Sequence, residues 1–531
     1  MNADVTIRGI ETLLWLVVLA LPVALRSDRA AARPQPLLRE TEILGLGAVL
    51  AVAVVFRVVN LCTEPLFMLN DETMFVYEQS WRPEYRDLYG FSLIQHWPWG
   101  WWPDLFGFGS GSLPNLQHFL HWLPMLVHPG FYGLRFGSAI VGVLSVAMIY
   151  VWARRWWDNR VALLASLFLA INLENVYWSR MAMPNIDAAL HATAMLWALA
   201  WALDTQSPRA WAVLGVIAGL TMYLYMGCKL SCVALAAVLA GMWLSRRVSI
   251  SARCVGVATV FCLAVAAPSF PPIYTHFHSW YVDHAGRLDV ARLLAAVWHG
   301  DWAGAWRFLV AEWADSVQYF RDQPWLTRLW WGGILLALWR GRDRRYLAIL
   351  IWAAVTFGIA SVSIGWRNAR IVNVQPALAV FAALTIDQLL RWRASRALAL
   401  GLVALVLYEA WTGQFTLRAH RWRNATAELC TTLWSLPAPA TVYVIGTGPN
   451  DDWLWRRCVM PPGSIQLIPV EGAEQIVLND SHTAAIVYAD RPDAAERLTA
   501  DAVLTPHYDG DRFSFYSGIG KKWAVPEAWG R

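Results

Sequence analysis

Charge is scarce in this chain. Only 15% of its 531 residues are Asp, Glu, Lys or Arg, against roughly 25% in an ordinary soluble protein, which argues against both disorder and nucleic-acid binding. Cysteine pairing motifs are missing as well: the seven Cys residues include no C-x-x-C pair and no zinc-ligand spacing, so nothing points to a structural zinc site. Nor is there an internal repeat of the kind that builds many transporters. In their place stand apolar residues, 57% of the total, and 34 Trp. Trp favours the membrane interface, where its ring is apolar and its N–H is wet. The chain reads as a polytopic membrane protein with water-facing pieces attached.

Apolar runs fall at about 11–25, 42–60, 132–152, 161–176, 187–203, 210–226, 230–245, 254–269, 327–339, 346–362, 372–389 and 397–412. These make about twelve candidate spans, several near the lower length limit for crossing roughly 30 Å of hydrocarbon. The net charge of +5 says little by itself, but the position of the cations says more. Every second loop is Arg-rich: Arg26, Arg29, Arg33 and Arg39; Arg154, Arg155 and Arg160; Arg246, Arg247 and Arg253; Arg340, Arg342, Arg344 and Arg345; Arg391, Arg393 and Arg396. The positive-inside rule makes those loops cytoplasmic and puts both termini outside. The first run is short enough to suggest a signal peptide, but the stretch after it is too basic for a good cleavage region, so it is read as a span.

The expected fold is therefore a mainly α transmembrane helical bundle over residues 1–412, with long outer loops at 61–131 and 270–326. The loops are dense in Trp and broken by Pro98 and Pro103, a pattern of short helices lying in the interface plane. After 413 the pattern changes. Short β-type runs at Thr441–Ile445, Ile465–Pro469, Ala484–Tyr488 and Arg512–Tyr516, split by Gly, Pro and Asp, predict a small mixed α/β domain over 413–531, outside the membrane. An oxidising compartment there permits a disulfide between Cys430 and Cys458.

The informative polar groups stand at the outer ends of spans. Asp71 and Glu72 open an amphipathic stretch, where Asp71 is also a good helix N-cap. Asp187 starts a span that no solvation need explains. Lys229 sits between two apolar runs, and Arg367 and Arg370 add cations on the same side. Snorkelling accounts for any one of these, but less well for basic groups and carboxylates gathered on one face. His276 and His278 form a His-x-His pair that interfacial packing also explains. A carboxylate near cations at a membrane surface suits one chemistry well: a base deprotonates an acceptor while Lys and Arg hold a departing phosphate.

At this point the sequence resembles a family, the GT-C superfamily of integral-membrane glycosyltransferases. The likeness is strongest to the bacterial relatives of protein O-mannosyltransferases and of the lipid A aminoarabinose transferases (glycosyltransferase family 39 type). An Asp-Glu pair followed by aromatics is matched by Asp71-Glu72 with Phe75 and Tyr77. A Ser-Arg segment followed by an acidic residue is matched by Ser179-Arg180 and Asp187, and a Gly-Leu-x-x-Tyr-x-Tyr stretch ending in a base by Gly219 through Tyr223, Tyr225 and Lys229. Arg367 and Arg370 before Pro376 match an Arg ahead of a late Pro-headed span.

The resemblance covers about 42–390. It implies inverting transfer of a sugar from a polyprenyl-phosphate donor to a lipid, glycan or protein acceptor, at the extracytoplasmic face of the cell (inner) membrane. It further implies Asp71 as base with Glu72 beside it, and Asp187 ordering acceptor or base. Lys229, Arg180, Arg367 and Arg370, with Tyr223 and Tyr225, would hold the donor phosphate. Some relatives use a divalent metal cation and others do not; Glu72 with His276 or His278 would be its ligands here. Two rival readings stand beside it: a transporter or flippase for a lipid-linked or anionic substrate, and a ligase or polymerase that moves a whole lipid-linked oligosaccharide.

Overall fold

The structure is a computed structural model. It describes residues 39–61, 124, 127, 131–225, 227–267, 295–317, 322–362 and 370–418, together with five strands between 440 and 518. The described residues are mainly helical, as expected. They fall into two compact units, one holding the helices of 39–59 and 138–414 and the other holding the strands.

The helices of the first unit are α1 (Glu40–Val58), α2 (Phe131–Trp156), α3 (Asn159–Ala170), α4 (Leu173–Arg180), α5 (Asp187–Thr205), α6 (Pro208–Leu220), α7 (Cys228–Leu244), α8 (Ala252–Ala266), α9 (Trp302–Val317), α10 (Pro324–Trp339), α11 (Arg344–Ser361), α12 (Gln375–Arg391) and α13 (Arg396–Thr412). Their starts follow from local chemistry. Asp158 caps α3 by accepting from the Val161 N–H, Asn172 caps α4 from Asn175, and Ser207 caps α6 from Ala210 ahead of Pro208. In each, a side-chain oxygen satisfies a backbone donor that has no intrahelical partner.

Among the described residues, four helices are long and apolar enough to cross a membrane, and a fifth span results if α3 and α4, bent by 57°, count as one. That pair occupies the run read from sequence as 161–176, and the break falls where Asn172 starts the second helix. The first predicted span, most of the loop 61–131, and Cys430 and Cys458 lie outside the described residues. In α9, Trp302, Trp306 and Trp313 are each more than half exposed and share one helical face.

Close packing relies on small residues. A Cβ on Gly215 would lie 2.2 Å from the Ala258 carbonyl, so α6 and α8 touch backbone to backbone, and one on Gly333 would lie 1.9 Å from that of Phe381, joining α10 to α12. Where lipid replaces water, such contact takes over from the hydrophobic drive between helices.

The Arg-rich turns come together at one end of the bundle. Arg154 pairs with Glu42 at 3.0 Å, Arg155 and Arg344 share Asp204 at 3.0 and 2.9 Å, and Asp387 holds Arg391 at 2.8 Å and Arg160 at 3.5 Å. Arg247 donates to the Arg342 carbonyl and Arg345 to that of Trp156. The ends of α1, α4, α6 and α8, and the starts of α5 and α7, therefore lie at the other end.

The second unit contains a five-stranded sheet of β1 (Ala440–Ile445), β2 (Ile465–Val470), β3 (Thr483–Tyr488), β4 (Leu504–Asp509) and β5 (Phe513–Gly518), in the order β2-β1-β3-β5-β4. β1 runs parallel to β2 and β3, with Val442 opposite Leu467 and Ala484; β5 is antiparallel to both β3 and β4. Pro469 and Pro506 lie on the two edge strands, where a missing N–H breaks no ladder. The β-type runs of the sequence do not include β4, because Leu504–Asp509 contains Pro506 and alternates poorly.

Candidate functional site

At the end opposite the arginine belt, α1 terminates against α4. Arg180, the last residue of α4 and wholly buried, donates to the carbonyls of Phe56 at 2.8 Å and Val59 at 2.7 Å. These are carbonyls that a helix end leaves without an intrahelical donor. Its described hydrogen bonds thus serve the point where the chain leaves α1 toward Asp71. Within the second unit, which takes in the first residues of α2, buried Arg135 donates to the Leu61 carbonyl at 3.2 Å.

Asp187 is the first residue of α5 and is buried, with Oδ2 lacking a hydrogen-bond partner among the described residues. One turn on, His191 Nε2 lies 2.9 Å from the Ile217 carbonyl. Cys228 and Lys229 are the first and second residues of α7. Tyr223 is buried in the turn after α6, its hydroxyl donating at 2.6 Å to the Val265 carbonyl near the end of α8. The Tyr225 ring lies against Gly227, where a Cβ would approach it to 3.0 Å.

Asn373 joins this hairpin to the segment carrying Arg370. Its Nδ2 donates to the Gly227 carbonyl at 2.6 Å, and its Oδ1 accepts from Ser231 Oγ at 3.1 Å. Trp352 Nε1 reaches its carbonyl at 3.5 Å. Asn373 is fully buried and Arg370 nearly so. The structure thus brings Asp187, Tyr223, Tyr225, Lys229 and Arg370 to one end of the bundle. Asp71, Glu72, Arg367, His276 and His278 lie outside the described residues, and with them the whole of the expected metal-ligand set.

Beside this segment, an apolar cavity of about 250 Å³ opens between α9, α10, α11 and α12. Its wall includes Trp313, Trp330, Trp331, Phe357, Phe381 and Val374, the last being the residue after Asn373.

Three comparisons bear on this arrangement. Residues 114–271 match the family model of dolichyl-phosphate-mannose-protein mannosyltransferases. A curated relative, undecaprenyl phosphate-alpha-4-amino-4-deoxy-L-arabinose arabinosyl transferase 1 of Pseudomonas fluorescens, is 26% identical over 68% of this chain; the match spans 62% of that relative's length. Among solved structures, apo ArnT from Cupriavidus metallidurans superposes with a TM-score of 0.54 at 14% identity, covering 91% of this chain and 100% of that one. The same protein bound to undecaprenyl phosphate gives 0.51 at 13% identity, over 90% and 98%.

The chain has the GT-C fold. An oligosaccharyltransferase from Archaeoglobus fulgidus agrees with that, with a TM-score of 0.51 at 14% identity over 89% of this chain and 73% of that one. The stretch 114–271 matched by the family model includes Arg180, Asp187, Tyr223, Tyr225 and Lys229. Sequence reasoning passes over Asn373, Gln375 and Arg57. The available signal is a polar side chain inside an apolar run, which within a membrane is rarely idle.

Proposed function

We propose that the chain is a membrane glycosyltransferase that moves a sugar from a polyprenyl-phosphate donor to an acceptor, with inversion, at the end of the bundle opposite the arginine belt. In this reading the belt faces the cytoplasm, about twelve spans make up residues 1–412, and residues 413–531 form an extracytoplasmic α/β domain. The observation that supports the reading is that Asn373 ties the hairpin carrying Lys229 to the segment carrying Arg370. It puts cations at one end, and the apolar cavity at Val374 gives an isoprenoid tail a place beside them. The undecaprenyl phosphate bound by the Cupriavidus ArnT is a lipid of this type.

The chemistry follows from charge. The Asp71 carboxylate takes the proton of the acceptor nucleophile as its oxygen or nitrogen attacks the anomeric carbon from the side opposite the phosphate. The carbon–oxygen bond to the phosphate breaks, and its electron pair leaves with the phosphate oxygen. Lys229, Arg370 and Arg367 stabilise that developing charge, with Arg180, Tyr223 and Tyr225 completing the surround. Asp187 orders acceptor or base. The products are the glycosylated acceptor and polyprenyl phosphate. A flippase would use similar cations, but it needs ionisable groups at mid-membrane in broken helices, whereas Arg180, Asp187 and Lys229 lie at helix ends. The test is reconstitution in nanodiscs with a radiolabelled polyprenyl-phosphate sugar. Release of polyprenyl phosphate with label in the acceptor supports the reading, and movement of intact donor between leaflets without cleavage refutes it.

A further inference from the structure

Arg57 lies in the last turn of α1 and is completely buried. All its nitrogens are engaged: Nη1 donates to the carbonyls of Ala53 at 3.2 Å and Ala170 at 2.8 Å, Nη2 to the Leu169 carbonyl at 3.3 Å and Asn175 Oδ1 at 2.7 Å, and Nε to Ser179 Oγ at 3.2 Å. Each of these acceptors is uncharged. The charge it feels most is that of Arg180, which has the same sign. For stability alone, well-packed apolar side chains serve at least as well as buried ions, so the guanidinium needs another reason to be there.

Its geometry supplies one. Leu169 and Ala170 are the last residues of α3, at the 57° break before α4, and Arg57 donates to both of their carbonyls, that of Leu169 also accepting from the Asn172 N–H at 3.4 Å. On α4 the same guanidinium holds Asn175 and Ser179. Arg180 then donates back to the carbonyls that end α1. The two helices therefore grip each other through two arginines. The line continues from Asn175 Nδ2 to Gln375 Oε1 at 2.9 Å, at the start of α12. Along the chain, Asp71 follows the end of α1, Asp187 follows α4, and Arg370 precedes α12.

We infer that Arg57 is a positioning residue: with Ser179, Asn175 and Gln375 it fixes the chain segments from which Asp71, Asp187 and Arg370 are presented. For its catalytic consequence this rests on the glycosyltransferase reading above. Gly142 offers a gentle way to disturb the clamp, since a Cβ there would lie 2.3 Å from Ser179 Oγ and 2.7 Å from Arg57 Nε.

The experiment uses the full chain in nanodiscs, with Gly142→Ala and Arg57→Lys compared with wild type. Three quantities are read: kcat and donor KM for sugar transfer, melting temperature, and backbone amide exchange by mass spectrometry. A misplacement of about 1 Å costs on the order of 100-fold in rate, so kcat should fall by about that factor in both variants while donor KM stays within about twofold. Lys should not rescue, because a point charge cannot serve five acceptors spread over three helices. Exchange should quicken over 53–61 and 169–180 and remain unchanged over 208–244. Wild-type kcat in both variants, or a joint collapse of kcat, KM and melting temperature with exchange raised throughout, overturns the inference. If wild type itself transfers no sugar from polyprenyl-phosphate donors, the glycosyltransferase reading fails, and the exchange pattern alone still decides whether the clamp is local.

Discussion

The two ends of the helical bundle handle charge in opposite ways. At the arginine belt, cations meet carboxylates: Arg154 with Glu42, Arg155 and Arg344 with Asp204, Arg391 with Asp387. At the other end Arg57 and Arg180 are wholly buried and donate to carbonyls, an amide and a hydroxyl, while Asp187 is buried with Oδ2 unpartnered among the described residues. Partly exposed pairs like those of the belt contribute about 0–1 kcal/mol each. A guanidinium wholly buried among uncharged acceptors, as Arg57 is, is costly instead, and such cost concentrates where a protein needs reactivity. Charge at the belt serves orientation and packing; at the opposite end, on the glycosyltransferase reading proposed above, it serves chemistry.

The comparison breaks most visibly if the proposed base is dispensable. Asp71→Asn retains an oxygen able to cap a helix but loses the basicity, so transfer should fall about 10²- to 10⁴-fold while the protein still inserts and binds donor. Near-normal transfer would leave Asp71 as a cap alone. The next effect in size belongs to Lys229. A hydrogen bond to a charged group contributes about 1.5–3 kcal/mol, so Lys229→Met should weaken donor binding by about 10- to 100-fold in a titration with polyprenyl phosphate. Lys229→Arg should lose less, because the charge is kept. Unchanged affinity in the Met variant would return Lys229 to snorkelling.

Much of this contrast is legible in the amino-acid sequence. Arg-rich turns and the Lys229 hairpin stand out because charge is rare between apolar runs, and the starts of α6 and α12 are marked by Ser207-Pro208 and Pro376. The clamp is not legible there. Arg57 sits inside the run read as 42–60, and its partners Ser179 and Asn175 lie more than a hundred residues away; apolar periodicity reports which residues face inward and not which helices adjoin. Asn172 can be read as a cap interrupting the run 161–176, since its side-chain oxygen accepts from the Asn175 N–H at 2.9 Å. Asn373 is hidden for the same reason as Arg57: its partner Gly227 comes from a distant hairpin.

Asn373→Ala sharpens the comparison at intermediate size. The buried Gly227 carbonyl and Ser231 hydroxyl lose their partner, which costs about 1–3 kcal/mol for a buried polar group left unmade, and Lys229 loses its register against Arg370. Donor KM should rise together with a lower melting temperature. A lower melting temperature with unchanged donor KM would mean that Asn373 holds the fold without shaping the donor site.

The belt should yield the smallest effects, and Asp343 gives the clearest case. It caps α11, accepting from the Arg345 N–H at 2.9 Å and from the Arg345 guanidinium at 2.6 to 3.1 Å. Burial pushes its carboxyl up, but the Arg345 side-chain and backbone hydrogen bonds and the Arg345 and Arg344 charges outweigh that, and the carboxyl titrates below its usual range. A folded-state pKa below the unfolded one stabilises the fold at every pH above the unfolded value, about 3.9. That contribution is lost as pH falls through the lowered folded value. Between pH 7 and 5 the melting temperatures of wild type and Asp343→Asn should therefore keep a constant small gap, which closes only as the medium becomes more acid than the ordinary carboxylate range. Transfer measured at neutral pH should not change, because this pair lies at the end of the bundle away from Asp187 and Lys229. A gap that widens toward acid, or a loss of transfer in Asp343→Asn, would mean that the belt shares in the chemistry and that the division between the two ends is drawn in the wrong place.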